Sequence, residues 1–245
     1  MRRAALRHCV VTELGLLCAS FFARPTGSPD AEASMNPIFA ADDARIAALA
    51  DSLIAACNGF HARNWVPATG GNFSARLDDG HMLITASGVH KGELTRRDFL
   101  VADLDGRPLE AGRKASYETG LHTQLYRFDP AIGAVLHVHS VANTVLSRRH
   151  DAITLRNYEL LKLIPGIMEP STPVTIPVFA NDQDIAALSR RVDAHMQEQT
   201  GLPAYLIAGH GLYTWGATVR DAKHRLEALE FMLECELWNG GKNHE

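Results

Sequence analysis

The stretch Ile132-Gly133-Ala134-Val135-Leu136-His137-Val138-His139 sets two histidines at the end of an apolar run. An apolar run of this length predicts a buried strand over 132–138. Residues two apart on a strand face the same side, so both imidazoles can point at one atom. Histidine nitrogen is a natural zinc ligand, and a catalytic zinc keeps three protein ligands with a position open for substrate. A third candidate is His210 in Ala208-Gly209-His210-Gly211, between apolar strands expected over 204–208 and 212–215. In a chain with 12 histidines, spacing alone leaves open that the pair is incidental and His210 a turn residue.

Upstream, apolar residues at Ile46, Leu49, Leu53, Cys57 and Phe60 recur every three or four positions, which predicts a helix over 42–60. Asp42 and Asp43 suit its N-terminal end. Strands are expected over 72–76 and 82–85, joined by the hairpin signal Asp78-Asp79-Gly80, and over 99–103, turned by Asp105-Gly106. A helix over 117–128, with Leu121, Leu125 and Phe128 inward, ends at Asp129-Pro130. Downstream, helices are expected over 141–148, 158–164 and 184–197. A strand over 174–179 carries Pro177 as the mark of an edge or an irregularity. The last helix, 219–238, presents Ala222, Leu226, Leu229, Leu233 and Leu237 on one face. Strands and helices interleaved without a repeat imply a layered α/β domain.

The chain has 245 residues, 46% apolar, 21% charged and 7% aromatic, a globular profile long enough for one substantial core. A formal charge of −4 gives no overall attraction to nucleic acid or an anionic membrane, although a local basic pocket can still hold a phosphate. A small-molecule ligand is expected. No run of about 18 apolar residues exists, which excludes a spanning helix on length. Cys9, Cys18, Cys57 and Cys235 lack C-x-x-C spacing and are too few to staple the chain, which points to a reducing, cytoplasmic compartment. Arg2 and Arg3 followed by residues 9–22 look like a signal peptide, but Glu13 interrupts the apolar stretch. Residues 24–37 read as linker and Met35 offers a second start. Residues 1–37 are therefore expected to be a disordered or mis-called extension, and 38–245 the catalytic domain.

Two carboxylates are candidates for acid/base work. Glu118 lies in the first turn expected of its helix, where a glutamate also stabilises the helix dipole by roughly 0.3 to 1 kcal/mol without any other role. Glu159, in Asn157-Tyr158-Glu159-Leu160-Leu161-Lys162, could equally be a solvated position paired with Lys162. Small polar loops form a third feature: Thr69-Gly70-Gly71-Asn72 before one strand and Thr85-Ala86-Ser87-Gly88 after the next. Such loops offer N–H groups and hydroxyls to a phosphate, and ordinary turns look the same.

In this order the pieces resemble the class II aldolase family over about residues 40–240. The family's glycine-asparagine phosphate loop resembles Thr69-Gly70-Gly71-Asn72-Phe73-Ser74-Ala75-Arg76, and its second loop Thr85-Ala86-Ser87-Gly88. Its H-x-H zinc pair matches His137 and His139, and its distant third ligand His210. The resemblance implies a three-layer α/β/α domain with a mixed, largely antiparallel central sheet. It further implies one zinc ion per subunit and a small phosphorylated sugar substrate met by Asn72, Thr85, Ser87, Gly88 and Ser116. It also implies a homotetramer with sites near subunit boundaries, the long C-terminal helix helping to form the interface.

Within the family, the segments Thr85 to Gly92, Lys114 to Thr119 and His122 to Tyr126 look most like a bacterial dehydratase branch. That branch removes water from a methylthio-substituted ketopentose 1-phosphate. Family members place their catalytic glutamate where this chain has Glu118 or where it has Glu159. Both positions are filled, and Glu159 is slightly favoured for dehydration. His90 departs from the aspartate expected there in many relatives. The alternatives are a sugar-phosphate aldolase or 4-epimerase using the same zinc, and a non-catalytic module like the adducin head, which would have lost its metal ligands.

Overall fold

The computed structural model describes residues 44–240. The expected extension over 1–37, and Asp42 and Asp43, lie outside the described residues. The hairpin signal acts as read: the Asp78 carboxylate accepts from the Gly80 N–H at 2.8 Å, turning β1 (Asn72–Arg76) back on β2 (His81–Thr85) with Ser74 opposite Ile84. β3 (Phe99–Asp103) adds to the far edge of β2, and β4 (Ala134–Val138) pairs with the other side of β1. With β5 (Ala152–Leu155), β6 (Val174–Phe179), β7 (Ala204–Ile207) and β8 (Gly211–Gly216), these strands form one sheet in the order β3-β2-β1-β4-β8-β7-β6-β5. Every neighbouring pair is antiparallel except β6 and β7, so the expected mixed, largely antiparallel sheet is present.

Strand alternation divides the core in two. Phe73, Leu136, Leu206 and Leu212 pack with Leu53 and Phe60 of α1 (Ala44–Ala62), Leu146 of α3 (Val141–Ser147) and Leu226, Leu229 and Leu233 of α5 (Val219–Trp238). Met82, Leu100, Val135 and Tyr205 pack with Leu121 and Leu125 of α2 (Thr119–Phe128) and with Leu188 and Val192 of α4 (Ile185–Glu198). This is the three-layer α/β/α arrangement. Helix starts are capped as their sequences suggest: Ser140, Asp184 and Thr218 each accept an N–H of the first turn, leaving fewer orphan donors. Among the described residues no helix is long and apolar enough to cross a membrane.

Two local expectations change, and the alternative left at Pro177 is decided. β5 was not anticipated, because its four residues alternate exposed and buried over too short a span to register. The expected helix over 158–164 is the 3-10 helix Glu159–Leu163. Pro177 lies not on an edge strand but inside β6, where the strand passes from pairing with β5 (Pro177 opposite Ala152) to pairing with β7 (Val178 opposite Leu206). The missing N–H of proline is tolerated at such a discontinuity.

Candidate metal centre and active-site cavity

Register assembles the site. Asn72 of β1 lies opposite His137 of β4, His137 opposite Tyr213 of β8, and Tyr213 opposite Tyr205 of β7, so four side chains form a row on the α2 face. His137 stacks on Tyr213 with centroids 3.9 Å apart and planes 13° from parallel, and Tyr213 stacks on Tyr205 at 5.0 Å. His137 Nδ1 donates to the Leu212 carbonyl at 3.0 Å, which leaves Nε2 bare and aimed outward.

His139 lies one residue past the strand, its N–H held by the Trp65 carbonyl at 2.7 Å. Its Nε2 stands 2.7 Å from that of His137. His210 occupies the turn between β7 and β8. Gly209 there has φ +63, and a Cβ at Gly211 would sit 2.6 Å from His137 Cε1 and 3.0 Å from His139 Cδ2. The glycines flanking His210 are thus required for two reasons, left-handed backbone at one and ring crowding at the other. Glu118, immediately before α2, completes the group: its Oε1 is 3.1 Å from His210 Nε2 and its Oε2 3.4 Å from His137 Nε2.

Ligand atoms of Glu118, His137, His139 and His210 all lie within 4.8 Å of one another. Burial first, and the neighbouring imidazoles second, hold His137 well below the usual histidine range and His139 at about 4. Both rings are therefore uncharged at neutral pH and offer lone pairs. His210 Nδ1 is buried without a protein partner. Neutral imidazoles converging with a carboxylate form a donor set able to hold a divalent metal ion.

A cavity of about 380 Å³ opens over this cluster, a volume suited to a small ligand. Asn72, Ser87, Gly88 and Ser116 line it. Thr85 does not: its Oγ1 accepts the Phe73 N–H at 3.2 Å and the residue is fully buried. Alternation turns Thr85 to the α1 face with Phe73, away from Asn72. Gly71, at φ +81, lets the loop lie against β4, since a Cβ there would approach the His137 carbonyl oxygen to 2.6 Å.

Lys91 is a cavity residue that sequence reasoning missed. It is 2% exposed, and its ammonium donates to the carbonyls of Thr69 and Val89 at 3.0 and 2.8 Å. Its only sequence signal is its place within the Thr85 to Gly92 segment. His90, the departure from the family pattern, caps the 3-10 helix Lys91–Glu93 by accepting the Gly92 N–H at 3.2 Å, a task that an aspartate side chain also performs. Glu159 is not brought to the cluster. Its side chain is 75% exposed and pairs with Lys162 at 2.8 Å, which is the solvated alternative open from the sequence.

Residues 51–237 match the family described as Class II Aldolase and Adducin N-terminal domain. The chain is 52% identical over 191 residues to the methylthioribulose-1-phosphate dehydratase of Pseudomonas aeruginosa PAO1, covering 77% of this chain and 93% of that protein. It is 49% identical over 188 residues to the enzyme of that name from Serratia proteamaculans, covering 76% and 92%. Among solved structures, L-fuculose-1-phosphate aldolase from Thermus thermophilus superposes with a TM-score of 0.65 at 26% identity, covering 80% of this chain and 98% of that one. A sugar-phosphate aldolase from Thermotoga maritima, 19% identical with a TM-score of 0.57 over 79% and 97% of the two chains, shares the fold. A match over most of the chain, close relatives along nearly their whole length, and a histidine-glutamate cluster on the shared fold lead to one conclusion: the chain belongs to the class II aldolase family.

Proposed function

We propose that this protein catalyses the zinc-dependent dehydration of 5-methylthioribulose 1-phosphate to 2,3-diketo-5-methylthiopentyl 1-phosphate, a step of methionine salvage. The observation that carries the reading is the convergence of Glu118, His137, His139 and His210 beneath a cavity, in a chain half identical to dehydratases of that name. His137, His139 and His210 would hold the zinc, since all-nitrogen histidine sets suit that ion. When bound, it supplies Lewis-acid polarisation of the substrate's C2 carbonyl.

The chain's own residues do the rest. Glu118 takes the proton from C3, the C4 hydroxyl departs with a proton as water, and the remaining enol tautomerises to the diketone. Asn72, Ser87, Gly88 and Ser116 bind the 1-phosphate. Lys91 supplies the positive charge that these neutral groups lack. Thr85 supports the strand beneath them. We further place the protein in the cytoplasm, with residues 38–245 as the catalytic domain, so that a chain begun at Met35 keeps full turnover.

We also infer a homotetramer. Phe231 and Trp238 of α5 are 53% and 82% exposed, and Leu163 is 50% exposed; apolar surface of this kind is what a second copy covers. Glu159 shares a 3-10 helix with Leu163, so in such an assembly it would stand at the boundary between copies. Any catalytic role it has is then toward a neighbour's site.

The test is turnover of 5-methylthioribulose 1-phosphate by the purified protein, with fuculose 1-phosphate and ribulose 5-phosphate in parallel. Diketone formation, lost on chelation and restored by zinc, is expected. Aldol cleavage or epimerisation without diketone would overturn the dehydratase reading and move the activity to the aldolase or 4-epimerase alternative. Glu118→Gln is expected to lower kcat by about 10²- to 10⁴-fold with metal retained. If Glu159→Gln does so and Glu118→Gln does not, the base is Glu159.

A further inference from the structure

Behind Glu118 the polar side chains continue into the protein in single file. Asn72 Nδ2 donates to Glu118 Oε2 at 2.7 Å. Asn72 Oδ1 meets His122 Nε2. His122 Nδ1 lies 2.7 Å from Ser74 Oγ, and Ser74 Oγ 2.8 Å from the Tyr126 hydroxyl. None of Asn72, Ser74, His122 and Tyr126 is more than 3% exposed. The reaction described above uses neither His122, Ser74 nor Tyr126, yet three polar side chains are costly fillers of a core layer that is otherwise apolar and aromatic. Their placement is regular: Asn72 and Ser74 share one face of β1, and His122 and Tyr126 stand one turn apart on α2.

The hydrogens along this file run in one direction. A carboxylate only accepts, so the Asn72 amide must turn its NH2 to Glu118 and its oxygen to His122. That oxygen also accepts, so His122 Nε2 carries the ring hydrogen. Burial pushes His122 down to about 3, which keeps the ring neutral and its Nδ1 bare. The Ser74 hydroxyl then donates to Nδ1, and its oxygen accepts from Tyr126. Reversing the whole file would set two acceptors, Asn72 Oδ1 and Glu118 Oε2, against each other.

We propose that Tyr126, Ser74 and His122 form a hydrogen-bond relay that locks the Asn72 amide in the orientation that holds Glu118 in the metal cluster, making His122 a positioning residue. The proposal rests on the reading of Glu118 as the site's acting carboxylate. Outer-shell partners of this kind tune a site they never touch.

The experiment uses the zinc-loaded full chain. Nitrogen NMR of the wild type is expected to show His122 protonated on Nε2 and bare on Nδ1. His122→Leu is expected to lower kcat on the order of 10- to 100-fold with KM and bound zinc unchanged. His122→Gln, whose amide can still donate to Asn72, recovers most of the loss. Tyr126→Phe gives a smaller loss, and together with Ser74→Ala it carries the kinetic test should His122→Leu not fold. A wild-type ring protonated on Nδ1 would overturn the relay. So would variants that lose thermal stability but keep the wild-type kcat per folded molecule. If the wild type makes no diketone, the functional reading fails while the tautomer measurement still decides the relay.

Discussion

The two faces of the sheet come from the same strands and serve different ends. On β4, Leu136 enters the aliphatic layer under α1, α3 and α5 while its neighbour His137 enters the site. On β1, Phe73 packs with Phe60 at 5.9 Å between ring centroids, while Asn72 and Ser74 join the hydrogen-bonded file under α2. One face is held by apolar area and tolerates approximate geometry. The other is also apolar over most of its area, but its site is held by directed hydrogen bonds in a low-dielectric setting, where each group needs a particular partner. A period of two thus lets one strand be scaffold and active site at once.

That contrast can be broken by substitutions on either face. His139→Ala should have the largest effect, with copurifying metal lost and turnover falling to background, read by metal analysis and the diketone assay; a metal-free variant that still turns over would end the metal reading. Leu226→Ala, fully buried on the aliphatic side, should cost about 2 to 5 kcal/mol in denaturant unfolding and leave turnover per folded molecule unchanged. If it altered turnover instead, the faces would not be separable.

Glu230 sharpens the comparison because it is a carboxyl 1% exposed on the scaffold side, bonded to Asn143 Nδ2 at 2.7 Å. Burial raises it from 4.5 to about 7. The folded state therefore binds its proton more tightly than the unfolded state. The stability this contributes is complete below about pH 4.5 and is lost as pH rises through about 7. Glu230→Gln should remove that slope and stabilise the protein above pH 7 by about 1 to 3 kcal/mol. Unfolding midpoints on both sides of that window measure it; an unchanged slope would show that Glu230 is ionised in the folded protein.

Much of the fold was legible in the chain because the elements carry local signals. The long helix α5, the hairpin at Asp78-Asp79-Gly80 and the apolar strands beside His139 and His210 depend on residues close in sequence. β5 escaped because four residues supply too little pattern. The site was legible in part. His137 and His139 share a face by strand parity, whereas the crowding beside both rings that Gly211 relieves is visible only in the fold. Thr85 misled because the loop motif contains it while strand parity turns it to the other face. Lys91 was missed because nothing local distinguishes a buried lysine from a surface one.

By itself the sequence determined most of the segments that extend as strands or wind as helices, and that His137 and His139 face one way, since those outcomes follow from periods of two and 3.6. Tertiary structure alone decided that Glu118 rather than Glu159 joins the histidines, and that Asn72 meets Glu118 across 46 residues of chain. It also decided that His137 is buried and neutral. Those are properties of distance and burial, and they exist only once strand register and helix packing have brought remote residues together and removed the water around them.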